Sequence, residues 1–158
     1  MKRRRERSNE KEGDVKLGKE AAAGGIAGIF MGLALFVFGA IASRVIYGPQ
    51  FAPAGKFEPA QINAFYFLWT KLAIGGVFGI LLSLIYARMP LSSRLGTARR
   101  GLKYGFLAWL VIWLWNVSHP LVYGSVMGRD QLFWLIYSLF GFLTFGAVLG
   151  FMRRRLDR

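Results

Sequence analysis

The chain contains four long stretches with almost no charged residues, and these limit its fold more than any other feature of the sequence. Three of them, residues 21–43, 104–128 and 131–152, are 22 to 25 residues long and carry no charge. The fourth, residues 60–87, is interrupted only by Lys71. An α-helix needs about 20 apolar residues to cross roughly 30 Å of hydrocarbon. The pattern therefore predicts an all-α integral membrane protein.

These stretches define one membrane domain, residues 21–152, built as a four-transmembrane-helix bundle. The predicted helices occupy residues 21–43, 63–87, 102–119 and 131–152. A basic tail, residues 1–20, precedes them and is expected to be mobile or partly helical, and a short basic end, residues 153–158, follows. Buried helices of a soluble protein would need polar faces, which these stretches lack. The strands of a β-barrel would alternate between apolar and polar residues, and these stretches do not.

The distribution of basic residues predicts how the chain is oriented. The chain has 21 Lys and Arg against 8 Asp and Glu, a net charge of +13, which in a soluble domain would suggest nucleic-acid binding. Here 17 of the 21 lie in the N-terminal tail, the loop after the second helix and the C-terminal end. All three segments fall on one side of the predicted membrane, so both termini are expected in the cytoplasm.

The organisation and orientation of the chain also predict its cellular location and its lipid partners. A short chain of such simple organisation is typical of the plasma membrane of a prokaryote. Its cytoplasmic basic residues are expected to attract anionic lipid headgroups, and no nucleic-acid partner is expected.

Small residues recur at every fourth position in three of the predicted helices. They are Gly24, Gly28 and Gly32 in the first helix, Gly75, Gly79 and Ser83 in the second, and Gly146 and Gly150 in the fourth. Residues four apart share one helix face, and a row of small residues lets another backbone approach closely. We interpret the rows as helix-packing faces within the chain. The alternative is association with a second copy or with another membrane subunit.

Two further patterns suggest that the chain consists of two tandem helical hairpins. Three residue pairs are 65 positions apart, namely Trp69 and Trp134, Gly76 and Gly141, and Arg88 and Arg153. The first and third helices both begin with a G-x-x-x-G motif, at Gly24 and Gly28 and at Gly101 and Gly105. Such features are common in membrane helices, so two unrelated hairpins are the alternative interpretation.

A candidate polar site is predicted at the outer ends of the helices, formed by Arg44, Lys71, Asn116 and His119. Apart from Lys103 at the very start of the third helix, Lys71 is the only charged residue within a predicted span, and such residues often have a functional role. Its side chain could instead reach the nearby membrane surface and have no further role. With no Cys and one His, the chain predicts neither a metal site nor a cofactor.

The remaining inventory disfavours catalysis and cation-coupled transport. The predicted spans contain no Asp or Glu, and the sequence carries no nucleophile–base or phosphate-binding motif. We therefore expect a protein that is not an enzyme, an accessory, assembly or structural membrane subunit that packs through its glycine-rich faces. The alternative function is a small oligomeric transporter or channel for a small or anionic solute. A lipid-modifying enzyme would need a nucleophile or metal that the sequence does not offer.

Overall fold

The chain is all-helical wherever the structure describes it. The computed structural model describes the backbone of residues 2–47, 64–88, 97–122 and 129–156, and the side chains of residues 17–45, 65–88, 98–116, 118 and 131–155. The four helices are α1 (Lys2–Tyr47), α2 (Ala64–Arg88), α3 (Thr97–Val122) and α4 (Arg129–Leu156). The prediction of an all-α fold is confirmed.

Three of these helices contain a segment that is long and apolar enough to cross a membrane. The segments are Leu17–Val45 in α1, Phe65–Arg88 in α2 and Gln131–Arg155 in α4. Over its described residues α3 is less apolar, because Arg99, Arg100 and Lys103 lie in its first two turns and Asn116 lies near its end. The general prediction of a membrane protein is supported by these three helices.

Helix α1 is longer than the apolar stretch that predicts it. It runs for 46 residues, about 69 Å at 1.5 Å per residue, and begins at Lys2 instead of residue 21. Its first turns are rich in Glu, Lys and Arg, which favour helix, and contain no proline. The apolar segment provides a formed helix from which these turns extend, so the unfavourable nucleation step is avoided.

The helices pack in the order α2, α1, α4, α3. Helix α1 packs along both α2 and α4, and α4 also packs along α3. The contacting residues run in opposite directions in each pair, so neighbouring helices are antiparallel. We name one end of the arrangement basal; it contains Glu20, Tyr86, Tyr104 and Arg153. The opposite end is named distal and contains Arg44, Lys71, Asn116 and Trp134.

The apolar core lies in the basal half, where side chains of all four helices meet. Its buried members are Ala23, Ala27 and Met31 of α1, Leu82 and Tyr86 of α2, Tyr104 of α3, and Phe142, Phe145 and Leu149 of α4. Tyr104, Phe145 and Leu149 are the largest side chains that are fully buried. The helices are therefore held together most tightly at the basal end.

Candidate functional site

Helices α1 and α2 touch backbone to backbone along their small residues. A Cβ atom built on Gly28 would lie 2.8 Å from the carbonyl carbon of Gly75 and 2.9 Å from the Cα of Gly79. Gly24 meets Ser83 and Gly79 in the same way, and Gly32 meets the backbone of α2 one turn further on. Any larger side chain at Gly28 would force the two helices apart, because its nearest neighbours are backbone atoms.

Helices α3 and α4 make an equivalent close contact. A Cβ atom built on Gly101 would lie 2.9 Å from the Cα of Gly150, and one built on Gly146 would lie 3.1 Å from the Cα of Gly105. Sequence inspection had singled out Gly146 and Gly150 for packing, and their partners are the G-x-x-x-G motif of α3. The glycine rows of both helix pairs thus lie against other parts of the same chain.

The two glycine contacts repeat, but not in the register that the sequence suggested. Gly101 and Gly105 contact α4 in the same way as Gly28 and Gly32 contact α2. The later pair of glycines lies 73 positions after the earlier pair. Their partners Gly75 and Gly79 correspond to Gly146 and Gly150, 71 positions later. The two hairpins are therefore related by the geometry of their closest contacts.

Residue pairs 65 positions apart do not occupy matching places in this repeat. Gly141 faces the side chain of Leu35 in α1, whereas the repeat would direct it towards α3. Arg88 is exposed, whereas Arg153 is paired with a carboxylate. The spacing of 65 therefore does not describe the relation between the hairpins.

A polar cluster, which we name the basal cluster, joins the four helices at the basal end. It consists of Glu20, Ser83, Tyr86, Tyr104 and Arg153. The Nε of Arg153 donates to Oε2 of Glu20 at 2.9 Å, and its Nη2 pairs with Oε1 of the same carboxylate. The guanidinium also lies 4.6 Å from the centre of the Tyr86 ring. One arginine of α4 thus contacts both α1 and α2.

Hydroxyl groups complete the basal cluster. Ser83 Oγ, which is fully buried, lies 3.0 Å from the carbonyl oxygen of Glu20 and 2.8 Å from that of Ile80. The Tyr104 hydroxyl donates to the carbonyl oxygen of Leu82 at 2.6 Å, and its ring lies 4.8 Å from that of Tyr86. These bonds connect α1 to α2 and α2 to α3.

The polar groups of the basal cluster bond to groups of the protein itself. The carboxylate and the guanidinium neutralise each other, and the hydroxyl donors are directed at backbone carbonyls. Sequence inspection missed this cluster because Glu20 and Arg153 are 133 residues apart and were read as parts of charged tails. The available signal was the position of Glu20, an acidic residue directly before an apolar stretch.

The predicted polar site is distributed over separate environments at the distal end. Lys71 is half-buried, with Nζ 5.2 Å from the centre of the Phe67 ring and 5.6 Å from that of Trp134. Arg44 is exposed in the last turn of its helix segment, and Asn116 Nδ2 donates to the carbonyl oxygen of Ile112 in its own helix at 2.9 Å. The side chain of His119 lies outside the described residues.

An apolar groove of about 160 Å³ lies between α1 and α4 in the distal half. It is lined by Phe38, Ile41, Ala42, Val45, Ile136, Tyr137 and Phe140. Stacking of Phe38 on Phe140, with ring centres 4.6 Å apart, closes its basal side. The lining offers little hydrogen-bonding capacity, so the groove suits apolar chains only.

Within the part of the chain that the structure describes, no group of three or more His, Cys, Asp or Glu side chains is arranged to hold a metal ion. Comparison with protein-family models, with curated proteins and with solved structures finds no match to this chain. The structure thus defines a class, an all-helical protein with three helices able to cross a membrane.

Proposed function

We propose that this protein is a non-enzymatic accessory or structural subunit of a membrane assembly. The observation that carries the proposal is that the polar side chains of the basal cluster bond one helix to another. Besides the basal cluster, Trp109 Nε1 of α3 donates to Ser138 Oγ of α4 at 3.1 Å. Polar groups committed to internal bonds build a preformed scaffold, whereas a catalytic or transport site needs them directed at a substrate.

The glycine rows are covered inside the chain, so a partner would have to meet another surface. Helix α2 offers one such surface, because it packs extensively along α1 alone and 22% of its apolar segment is buried, against 33% for α1 and α4. Trp69 is 56% exposed and Val77 63% exposed on this helix. We propose that the outward face of α2 receives the partner helix, with Trp69 as an anchor.

We further propose that the chain crosses a prokaryotic plasma membrane four times, with its basal end in the cytoplasm. Since α2 ends at the basal end and α4 begins at the distal end, α3 has to run between the two ends. Its 26 residues span about 39 Å, enough to cross. The excess of Lys and Arg at the basal end supports a cytoplasmic location and contact with anionic headgroups there.

Native mass spectrometry of the protein extracted from its own membranes in a mild detergent tests the subunit proposal. We expect a complex that contains a second polypeptide, and we expect Trp69→Ala to release it. The matched control is Phe151→Ala, which removes an aromatic side chain of similar exposure from α4. A folded, solitary monomer in the unmodified extract would contradict the proposal.

A second candidate function, a small oligomeric transporter or channel for a small or anionic solute, is favoured by two observations. The glycine contacts relate the two hairpins, and internal repeats are common in transporters. Lys71 places a cation at the distal end of the helices. Vesicles containing the purified protein should then show anion flux that Lys71→Met abolishes, and vesicles without flux would exclude this candidate.

A further inference from the structure

The surroundings of Lys71 differ from those expected of a charge that simply reaches the membrane surface. Its ammonium group crosses from α2 to the Trp134 ring of α4 and also lies over the Phe67 ring. Among the described side chains no carboxylate pairs with it, although ring faces stabilise a cation only in part. An ammonium group among apolar neighbours is stabilised most by an anion.

The face of α3 that contacts α2 at the basal end becomes exposed towards the distal end. At the basal end they are joined by the Tyr104 hydroxyl and by the contact between the Tyr86 and Tyr104 rings. Val111 and Trp115 follow Tyr104 by seven and eleven residues and therefore share its helix face. Tyr104 is 2% exposed, whereas Val111 is 66% and Trp115 70% exposed. The interface between α2 and α3 is thus closed at the basal end and open at the distal end.

The opposite wall of this opening belongs to α2. Phe78, 38% exposed, and Ile74, 61% exposed, lie between Tyr86 and Lys71 on that helix. The two exposed faces define a surface formed by Lys71, Ile74, Phe78, Val111 and Trp115, which we name the distal cleft. Its walls are apolar, its one charge is positive, and it opens sideways between two helices.

We propose that the distal cleft binds an anionic phospholipid. The phosphate accepts hydrogen bonds from the Lys71 ammonium group, and an acyl chain lies between the apolar walls of α2 and α3. Charge complementarity selects the headgroup, since a charge-assisted hydrogen bond to phosphate satisfies the ammonium group. The sideways opening selects a lipid as the source of that phosphate, because a lipid enters from the hydrocarbon layer. This inference goes beyond the proposed subunit role and does not depend on a protein partner.

Native mass spectrometry of the full chain, purified and exposed to equal amounts of phosphatidylglycerol and phosphatidylcholine, tests the proposal. We expect preferential retention of one phosphatidylglycerol, reduced at least about tenfold by Lys71→Gln, the effect of losing one charge-assisted bond. Lys71→Arg should keep the preference because it keeps the charge. Lys103→Gln, which removes an exposed lysine from the basal part of α3, is the charge-matched control and should keep the preference, because Arg99 and Arg100 remain at that end.

A second pair of variants tests the cleft without altering Lys71. Val111→Trp fills the space between the walls and should reduce lipid retention. Val37→Trp makes the same substitution at an exposed valine of α1, a helix that contributes no wall to the cleft. It should leave retention unchanged, so the pair is informative even if Lys71→Gln fails to fold.

Three results would overturn the proposal. The first is equal retention of the two lipids by the unmodified protein. The second is an equal loss in Val111→Trp and Val37→Trp, which would place the lipid elsewhere. The third is displacement of phosphatidylglycerol by millimolar inorganic phosphate, which would assign Lys71 to a soluble anion and favour the transport function.

Discussion

Single glycines set the distance between the helices of this protein. In hydrocarbon there is little hydrophobic drive for one helix to leave lipid for another, so close backbone contact supplies much of the attraction. Gly28 lies at the centre of the contact between α1 and α2, and its neighbours are backbone atoms that cannot rotate away. Gly25, three residues earlier in the same helix, faces only the flexible side chain of Ile80.

We expect Gly28→Ala to lower the free energy of unfolding by about 1–3 kcal/mol, the cost of overpacking a close contact. The Cβ atom of the variant would lie 2.9 Å from the Cα of Gly79, so the helices must separate. Gly25→Ala is the control, because its Cβ atom would lie 3.5 Å from the nearest side-chain atom. Reversible unfolding in mixed micelles gives both values, and equal stability of the two variants would contradict this account.

Two neighbouring arginines at the basal end have different surroundings. Arg153 pairs with Glu20, and the two side chains are 23% and 13% exposed, whereas Arg154 is exposed. We expect Arg153→Gln to reduce the free energy of unfolding by about 1–3 kcal/mol, because it leaves a shielded carboxylate without its partner. Arg154→Gln should change it by less than about 0.5 kcal/mol. The same micelle unfolding assay measures both.

At the scale of whole helices, α3 is held differently along its length. Its basal turns contact α4 through Gly101 and Gly105 and reach α2 through the long side chain of Tyr104. Further along, it keeps its contact with α4 through Trp109 and Ser138. The opening of the distal cleft follows from this one-sided attachment.

Tyr104→Phe should cost about 1 kcal/mol of unfolding free energy, the net value of one hydrogen bond. The phenyl ring keeps the apolar packing, and only the bond to the Leu82 carbonyl is lost. Tyr66→Phe is the control, since Tyr66 is 74% exposed and its hydroxyl is outside the core. Thermal unfolding followed by circular dichroism compares the two, and a larger effect at Tyr66 would reject the assignment.

Across the whole molecule, the antiparallel order of the helices makes a definite prediction about topology. The chain has no Cys, so single cysteines introduced at Ser8, Ser93 and Ser125 are unique labels. A membrane-impermeant thiol reagent added to intact cells should label Ser125→Cys alone. If α3 did not cross, the positions Ser93 and Ser125 would be on the same side and would react alike.

Much of the fold could be predicted from the sequence, because long apolar stretches have one stable outcome in lipid. A helix satisfies its own backbone hydrogen bonds, so residues 131–152 predict a helix whatever surrounds them. The full length of α1 could not be predicted, since a charged helix that extends from an apolar one leaves no hydropathy signal. Of the candidate site, Lys71 could be singled out as the one charge in the interior of a span, but its ring contacts could not be predicted.

The sequence by itself determined the local features of this protein: four helices, their glycine-rich faces and the asymmetry of basic charge. These depend on residues a few positions apart and on the chemistry of lipid and water. Only the tertiary structure decided that the glycine rows face each other within the chain, that the hairpins repeat at 71 and 73 positions, and that Glu20 meets Arg153. The physical reason is distance along the chain, because contacts between helices depend on how whole surfaces fit together.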